Sequence, residues 1–156
     1  MPSIDELDAR LIAVMRDNPR IGLMETSRLL GVARGTVQAR LDRLSARGIV
    51  TGFGPEVSPA GLGYPVLAFV SLEIAQGRLD ESIEMLAAVP EVLEVHGTSG
   101  ASDLVCRVVA RSNAHLQLVL LKILETPAVQ RTSTSIALST LVALRTDPLV
   151  AAAPHP

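Results

Sequence analysis

Along the first third of the chain, apolar residues recur at helical spacing. Leu7, Leu11, Val14 and Met15 stand at i, i+4, i+7 and i+8, which gives a helix one apolar face, and Asn18-Pro19 ends the run. Two start signals precede it: Ser3 with Glu6 at capping-box spacing, and Asp5 with Asp8 at the same spacing. Residues 23–30 read as a second helix closed by Gly31. Residues 34–46 read as a third, with Val37, Leu41 and Leu44 on one side and Gly48 behind it. Residues 49–54 look like a short strand or wing leading out, and Pro55, Pro59, Gly61, Gly63 and Pro65 mark a linker.

The rest of the chain changes period. Residues 66–74 form a β-type run, residues 79–89 are helical by spacing, and residues 90–95 start another strand. The order then repeats, with a strand over 104–110, a helix over 115–124 and a strand restarting at 127–132. Two β-α-β units in succession predict a ferredoxin-like βαββαβ sandwich, one antiparallel sheet with both helices on one face. In the first strand Val66, Ala68, Val70 and Leu72 alternate with Leu67, Phe69 and Ser71. Both faces are largely apolar, and burial of the second one calls for a dimer. The fold class expected is therefore α+β, a winged helix-turn-helix followed by this sandwich. Its boundaries are 1–54 for the helical domain, 55–64 for a linker, 65–147 for the sandwich and 148–156 for a tail, loose over its aperiodic residues 151–156.

Composition narrows the function. Hydrophobic residues at 48% against 19% charged indicate a folded chain, and 2% aromatics with no Trp argue against recognition of single strands by base stacking. The longest uncharged stretches, 58–72 and 132–144, fall short of a bilayer span. Asp5, Glu6 and Asp8 stand where a secretory signal would be basic, so a soluble cytoplasmic protein is expected. A lone cysteine, Cys106, precludes an internal disulfide framework.

A net charge of −2 looks wrong for a DNA binder until the chain is divided. Residues 1–55 hold eight Arg against six acids, whereas residues 56–156 hold six basic and ten acidic residues. Between Arg20 and Arg47 six Arg face only Glu25 and Asp42, which concentrates positive charge where phosphates would be met. Gly31 sits where a helix-turn-helix needs its tight turn, so the third helix is the one to enter the major groove. Arg34, Thr36 and Gln38 are the candidates for bases, since Arg and Gln make bidentate contacts to guanine and adenine. Arg43, Arg47 and Arg28 suit phosphates. Two roles fit Arg40: a DNA contact, or an ion pair bridging helices to an acidic partner.

These residues together resemble the Lrp/AsnC family of feast-famine transcription regulators. The resemblance runs over nearly the whole chain: the opening helix at residues 4–12, Arg20-Ile21, residues 29–32 and 37–44, then Gly48-Ile49-Val50 and Leu62-Gly63. Residues 97–104 are similar to that family's glycine-rich effector loop and residues 132–136 to its last strand. It implies double-stranded DNA as partner, a homodimer that can assemble to octamers, and an amino acid or related metabolite as effector. The site residues it implies are Gly97, Thr98, Gly100, Asp103, Thr132 and Thr134. Backbone N–H groups at glycines can approach a carboxylate, while Asp and Thr can receive an ammonium. Two positions depart from the family pattern. Ala101 stands where an acidic residue is common, and Ala33 stands where Ser usually caps the reading helix, a loss worth about 1 kcal/mol that Gly35 compounds.

Other functions have thinner support. His96, Asp103 and His115 are the one plausible acid-base set and have no paired nucleophile, so no enzyme is expected. His96, Cys106 and His115 lack metal-ligand spacing, so neither metal nor cofactor is expected. The alternative kept beside the regulator is a ligand-binding or assembly module without DNA contact.

Overall fold

A computed structural model describes residues 4–153. The described residues up to Pro55, together with those from Val142 onward, pack as one unit, and Glu56–Leu141 pack as a second.

The first unit begins with helices α1 (Glu6–Asp17), α2 (Leu23–Leu30) and α3 (Arg34–Ala46). Of the two start signals, Asp5 is the cap: its carboxylate accepts the Asp8 N–H at 2.8 Å, and Asp8 accepts the Asp5 N–H at 3.3 Å. Ser3 lies outside the described residues. Ile4, Leu11, Leu30, Val37, Leu41 and Leu44 form the core between the three helices. Leu11, Val37 and Leu44 are wholly buried, each worth about 1.5–3 kcal/mol of transfer free energy.

Two expectations are corrected in this unit. Residues 49–54 form no strand, so the predicted wing is absent from this segment. Ile49 and Val50 turn inward onto the helical core instead, and Gly52, Gly54 and Pro55 favour irregular backbone over a ladder. The tail, expected to be loose over 151–156, contains helix α6 (Asp147–Ala152), with Pro148 in its first turn. It packs against α1, Val150 and Ala153 join the helical core, and Arg16 on α1 forms an ion pair with Asp147.

The second unit is the expected βαββαβ sandwich. Strands β1 (Val66–Ile74), β2 (Val92–Gly97), β3 (Leu104–Ala110) and β4 (Val129–Ala137) alternate with helices α4 (Leu79–Ala87) and α5 (Asn113–Leu124). The sheet order is β2-β3-β1-β4, antiparallel throughout. Helix α4 stops at Ala87, short of residue 89, because the Val89-Pro90 step disfavours helical backbone. The last strand starts beyond Pro127 and runs on to Ala137. Helix α5 starts two residues earlier than predicted, where the Ser112 hydroxyl accepts the His115 N–H at 3.1 Å.

Ala68, Val70 and Leu72 of β1 and Leu104, Cys106 and Val108 of β3 meet Leu86, Leu116, Val119 and Ile123 of the helices in a dry core. The opposite sheet face carries Leu67, Phe69 and Ser71 beside Val105 and Arg107. There Phe69 is 44% exposed, and the Arg107 Nε is buried without a hydrogen-bond partner.

Candidate nucleic-acid interface and effector site

The turn that aims α3 is fixed by backbone chemistry. Gly31 ends α2 in the left-handed region at φ +69°, where a Cβ would be strained, and the Val32 N–H donates to Ser27 O at 3.1 Å. Three residues later α3 begins at Arg34, behind Ala33, whose methyl offers no side-chain cap. With Val37, Leu41 and Leu44 buried, the 3.6 period leaves Arg34, Thr36, Gln38, Arg43 and Arg47 on the exposed side. The Gln38 amide donates to Asp42 at 2.7 Å along the helix, so reading a base requires it to leave that partner. On α2, exposed Arg28 pairs with Glu25 at 3.3 Å.

Arg40 forms the ion pair expected of it as a bridge between helices. Its side chain is only 22% exposed, and Nη1 donates to both Asp5 oxygens at 2.7 and 2.5 Å and to Asp8 at 2.7 Å. Arg43, half exposed, donates to both Asp8 oxygens at 3.0 and 2.7 Å. The hydrogen bond from Arg40 holds the Asp5 carboxyl below its ordinary range, with the Asp8 N–H helping, and the same contact raises the guanidinium of Arg40. Two acids on α1 and two arginines on α3, each pair three residues apart, thus brace the reading helix. That matched spacing is visible in the sequence, where the capping box at Asp5 and Asp8 masks it.

The second candidate site lies at one end of the sheet. Gly97, Thr98 and Asp103 line an open cleft of about 580 Å³, together with Ile74, Gly77 and Leu79. The Asp103 carboxylate accepts the Ile74 N–H at 2.7 Å, and its own N–H donates to Leu72 O at 2.9 Å. The Thr98 N–H donates to Asp103 O at 2.9 Å, and its hydroxyl donates to Ser102 O at 2.5 Å. Asp103 therefore pins the β2–β3 loop to the end of β1.

Gly100 lies on that loop but not on the cleft wall. Thr132 and Thr134 sit on β4 opposite Leu72 and Val70. Leu104, Leu72 and Thr132 are consecutive neighbours across β3, β1 and β4, so two strand spacings, about 10 Å, separate Thr132 from the loop strand. Within one chain five of the six implied effector residues fall into two groups, Gly97, Thr98 and Asp103 on the cleft and Thr132 and Thr134 on β4, and Gly100 belongs to neither. Ile74, Gly77 and Leu79 were missed; the signal was the Gln76-Gly77 pair, where Gly77 turns the chain from β1 toward α4 at φ +77°.

His96, His115 and Cys106 have local surroundings of their own. His96 faces Glu94 at 3.2 Å, and this contact holds the Glu94 carboxyl below its ordinary range. The His115 Nδ1 accepts the Arg111 N–H at 3.1 Å. Cys106 is buried in the core, which pushes its thiol up to about 11. Among the described residues, His, Cys, Asp and Glu form no group able to hold a metal ion, and no helix is long and apolar enough to cross a membrane.

Comparison with known proteins agrees with this architecture. The AsnC-type helix-turn-helix domain matches residues 4–45, and the Lrp/AsnC ligand binding domain matches residues 67–146. The chain is 31% identical over 137 residues to the HTH-type transcriptional regulator FL11 of Pyrococcus horikoshii, covering 88% of this chain and 91% of that protein. It is also 31% identical to the regulatory protein AsnC of Escherichia coli, covering 86% and 90%. The solved structure of E. coli AsnC superposes with a TM-score of 0.86 at 30% identity, covering 93% of this chain and 99% of that one. A reading helix behind a left-handed glycine turn, an antiparallel four-stranded sandwich and relatives of nearly full length all agree: this chain belongs to the Lrp/AsnC family of helix-turn-helix, DNA-binding transcription regulators.

Proposed function

We propose that the chain is a sequence-specific regulator that acts as a homodimer and whose DNA binding responds to an amino acid or a closely related metabolite. The observation that carries the effector half is the composition of the cleft at the end of the sheet. Gly97, with no Cβ, lets a carboxylate approach the backbone at the end of β2, and Asp103, with one oxygen on the Ile74 N–H, has its second for an ammonium. Ile74 and Leu79 offer an apolar wall for the side chain of the ligand. Ala101 adds no second carboxylate to the loop, so the ammonium depends on Asp103 alone for charge. Thr132 and Thr134, set apart on β4, reach an effector from the other subunit of an assembly.

On the DNA side, Arg34, Thr36 and Gln38 are the base contacts, and Arg28, Arg43 and Arg47 meet phosphates. Support for the homodimer comes from the second sheet face, where Leu67, Phe69 and Val105 need a covering surface.

The test is a titration of duplex DNA from the region upstream of the gene at two salt concentrations, with and without a panel of amino acids, accompanied by light scattering. Selective, salt-sensitive binding by a dimer, shifted by one amino acid and not shifted in Asp103→Ala, is the expected result. Binding that no amino acid shifts refutes the effector. A monomer at micromolar concentration refutes the dimer.

A further inference from the structure

The C-terminal helix belongs to the DNA-binding unit although it follows the last strand of the other unit, and its contacts lead to the reading helix. Six residues cannot hold a helix in water on their own, so α6 owes its form to the surface it rests on. That surface is α1: Val150 and Ala153 add to the cluster containing Leu11, Val37, Leu41 and Leu44, and Asp147 pairs with Arg16 near the end of α1. At its other end α1 carries Asp5 and Asp8, the carboxylates that hold Arg40 and Arg43 of α3. Helix α3 brings little stability of its own to its first turn, having Ala33 in place of a cap and Gly35 within it. Its placement depends on what grips it from α1.

We propose that α6 is a positioning element for DNA recognition, with Val150 and Asp147 acting through α1 and the Asp8–Arg40–Arg43 brace to fix the reading helix. Residues 138–146, which join α6 to β4, are chiefly a covalent strap: Leu138, Leu141 and Leu144 are 98%, 91% and 87% exposed. The chain thus connects its two units twice, once through the linker before β1 and once through this strap from β4. The strand bearing Thr132 and Thr134 is therefore in covalent continuity with the clasp on α1.

The experiment is native-state hydrogen exchange on the full chain, paired with binding of a random-sequence duplex at several salt concentrations. The variants are Val150→Ala, Val150→Asp, Val150→Ile and Asp8→Asn, with exposed Leu149→Lys as control. Val150→Ala is expected to speed exchange several-fold in both α1 and α3 while leaving β1 and β3 unchanged. DNA affinity falls with it, but the salt slope stays, because α6 carries no Lys or Arg to neutralise a phosphate. Val150→Ile restores both, Leu149→Lys changes neither, and Asp8→Asn loosens α3. If Val150→Asp unfolds the unit, the milder Val150→Ala still gives the reading. Faster exchange confined to α1 would make α6 a simple end clasp and overturn the proposal. So would a reduced salt slope in Val150→Ala, or exchange that no Val150 variant alters.

Discussion

Removing the Asp8 carboxylate tests how the reading helix is held. Asp8 is 1% exposed and serves three partners: Arg40 at 2.7 Å, Arg43 at 2.7 Å and the Asp5 N–H at 3.3 Å. Breaking a buried ion pair by deleting one partner commonly costs about 3–5 kcal/mol, because a charge is left without compensation. Here the charges left behind are eased. Arg40 keeps Asp5 at 2.5 Å, and Arg43, 47% exposed, can turn to water. Asp8→Ala is therefore placed at about 2–3 kcal/mol, including about 0.5 kcal/mol for the lost half of the capping box. Asp8→Asn retains an acceptor oxygen and should cost about half as much. Urea unfolding read through the amides of α1 and α3 measures both, and a cycle with Arg40→Ala isolates the pair. The cost should persist in 1 M salt, since a buried pair is screened far less than a surface pair such as Arg28–Glu25. A loss below about 0.5 kcal/mol for Asp8→Ala, or one abolished by salt, would show that packing alone holds α3 and refute the brace.

Three further outcomes follow from the same physics. Ala33→Ser supplies the missing cap of α3 and should stabilise that helix by about 0.5–1 kcal/mol, read as slower exchange at Gly35 and Thr36; unchanged exchange would mean the turn is already satisfied. Because the Asp5 carboxyl is held below its ordinary 3.8, its contribution is complete above that pH and drains away as pH falls through the lower folded value; acid titration of Asp5→Asn should flatten the α1–α3 stability profile below about pH 4, and an unchanged profile counts against it. With its thiol at about 11 in a dry core, Cys106 should resist iodoacetamide at pH 8 in the native chain and react readily in urea; equal rates in both would refute its burial.

The parts legible in the sequence are those where periodicity and punctuation agree. Helices α2 and α3 and strands β1 and β3 lie where apolar spacing placed them, because Gly31 and Gly48 end the first pair of elements by chemistry local to the chain. Contacts between distant residues left weaker traces. Asp5 and Asp8 carry a local signature, the capping box, that accounts for them completely, so their second service to Arg40 and Arg43, 32 to 35 residues away, added no pattern of its own. Helix α6 shows the same limit more sharply. Asp147-Pro148 is a fair helix start, but the run behind it has a single short apolar stretch, too brief to show a period, and what makes it helical is the face of α1 on which Val150 rests. The wing failed for the converse reason. Ile49 and Val50 have strand propensity, yet a strand requires a neighbour, and at this position the nearest unsatisfied surface is the helical core. Features whose distant contacts add no periodic pattern of their own are therefore the ones a linear reading misplaces, and in this protein α6 and the Asp8–Arg40–Arg43 brace, which hold the reading helix, are of that kind.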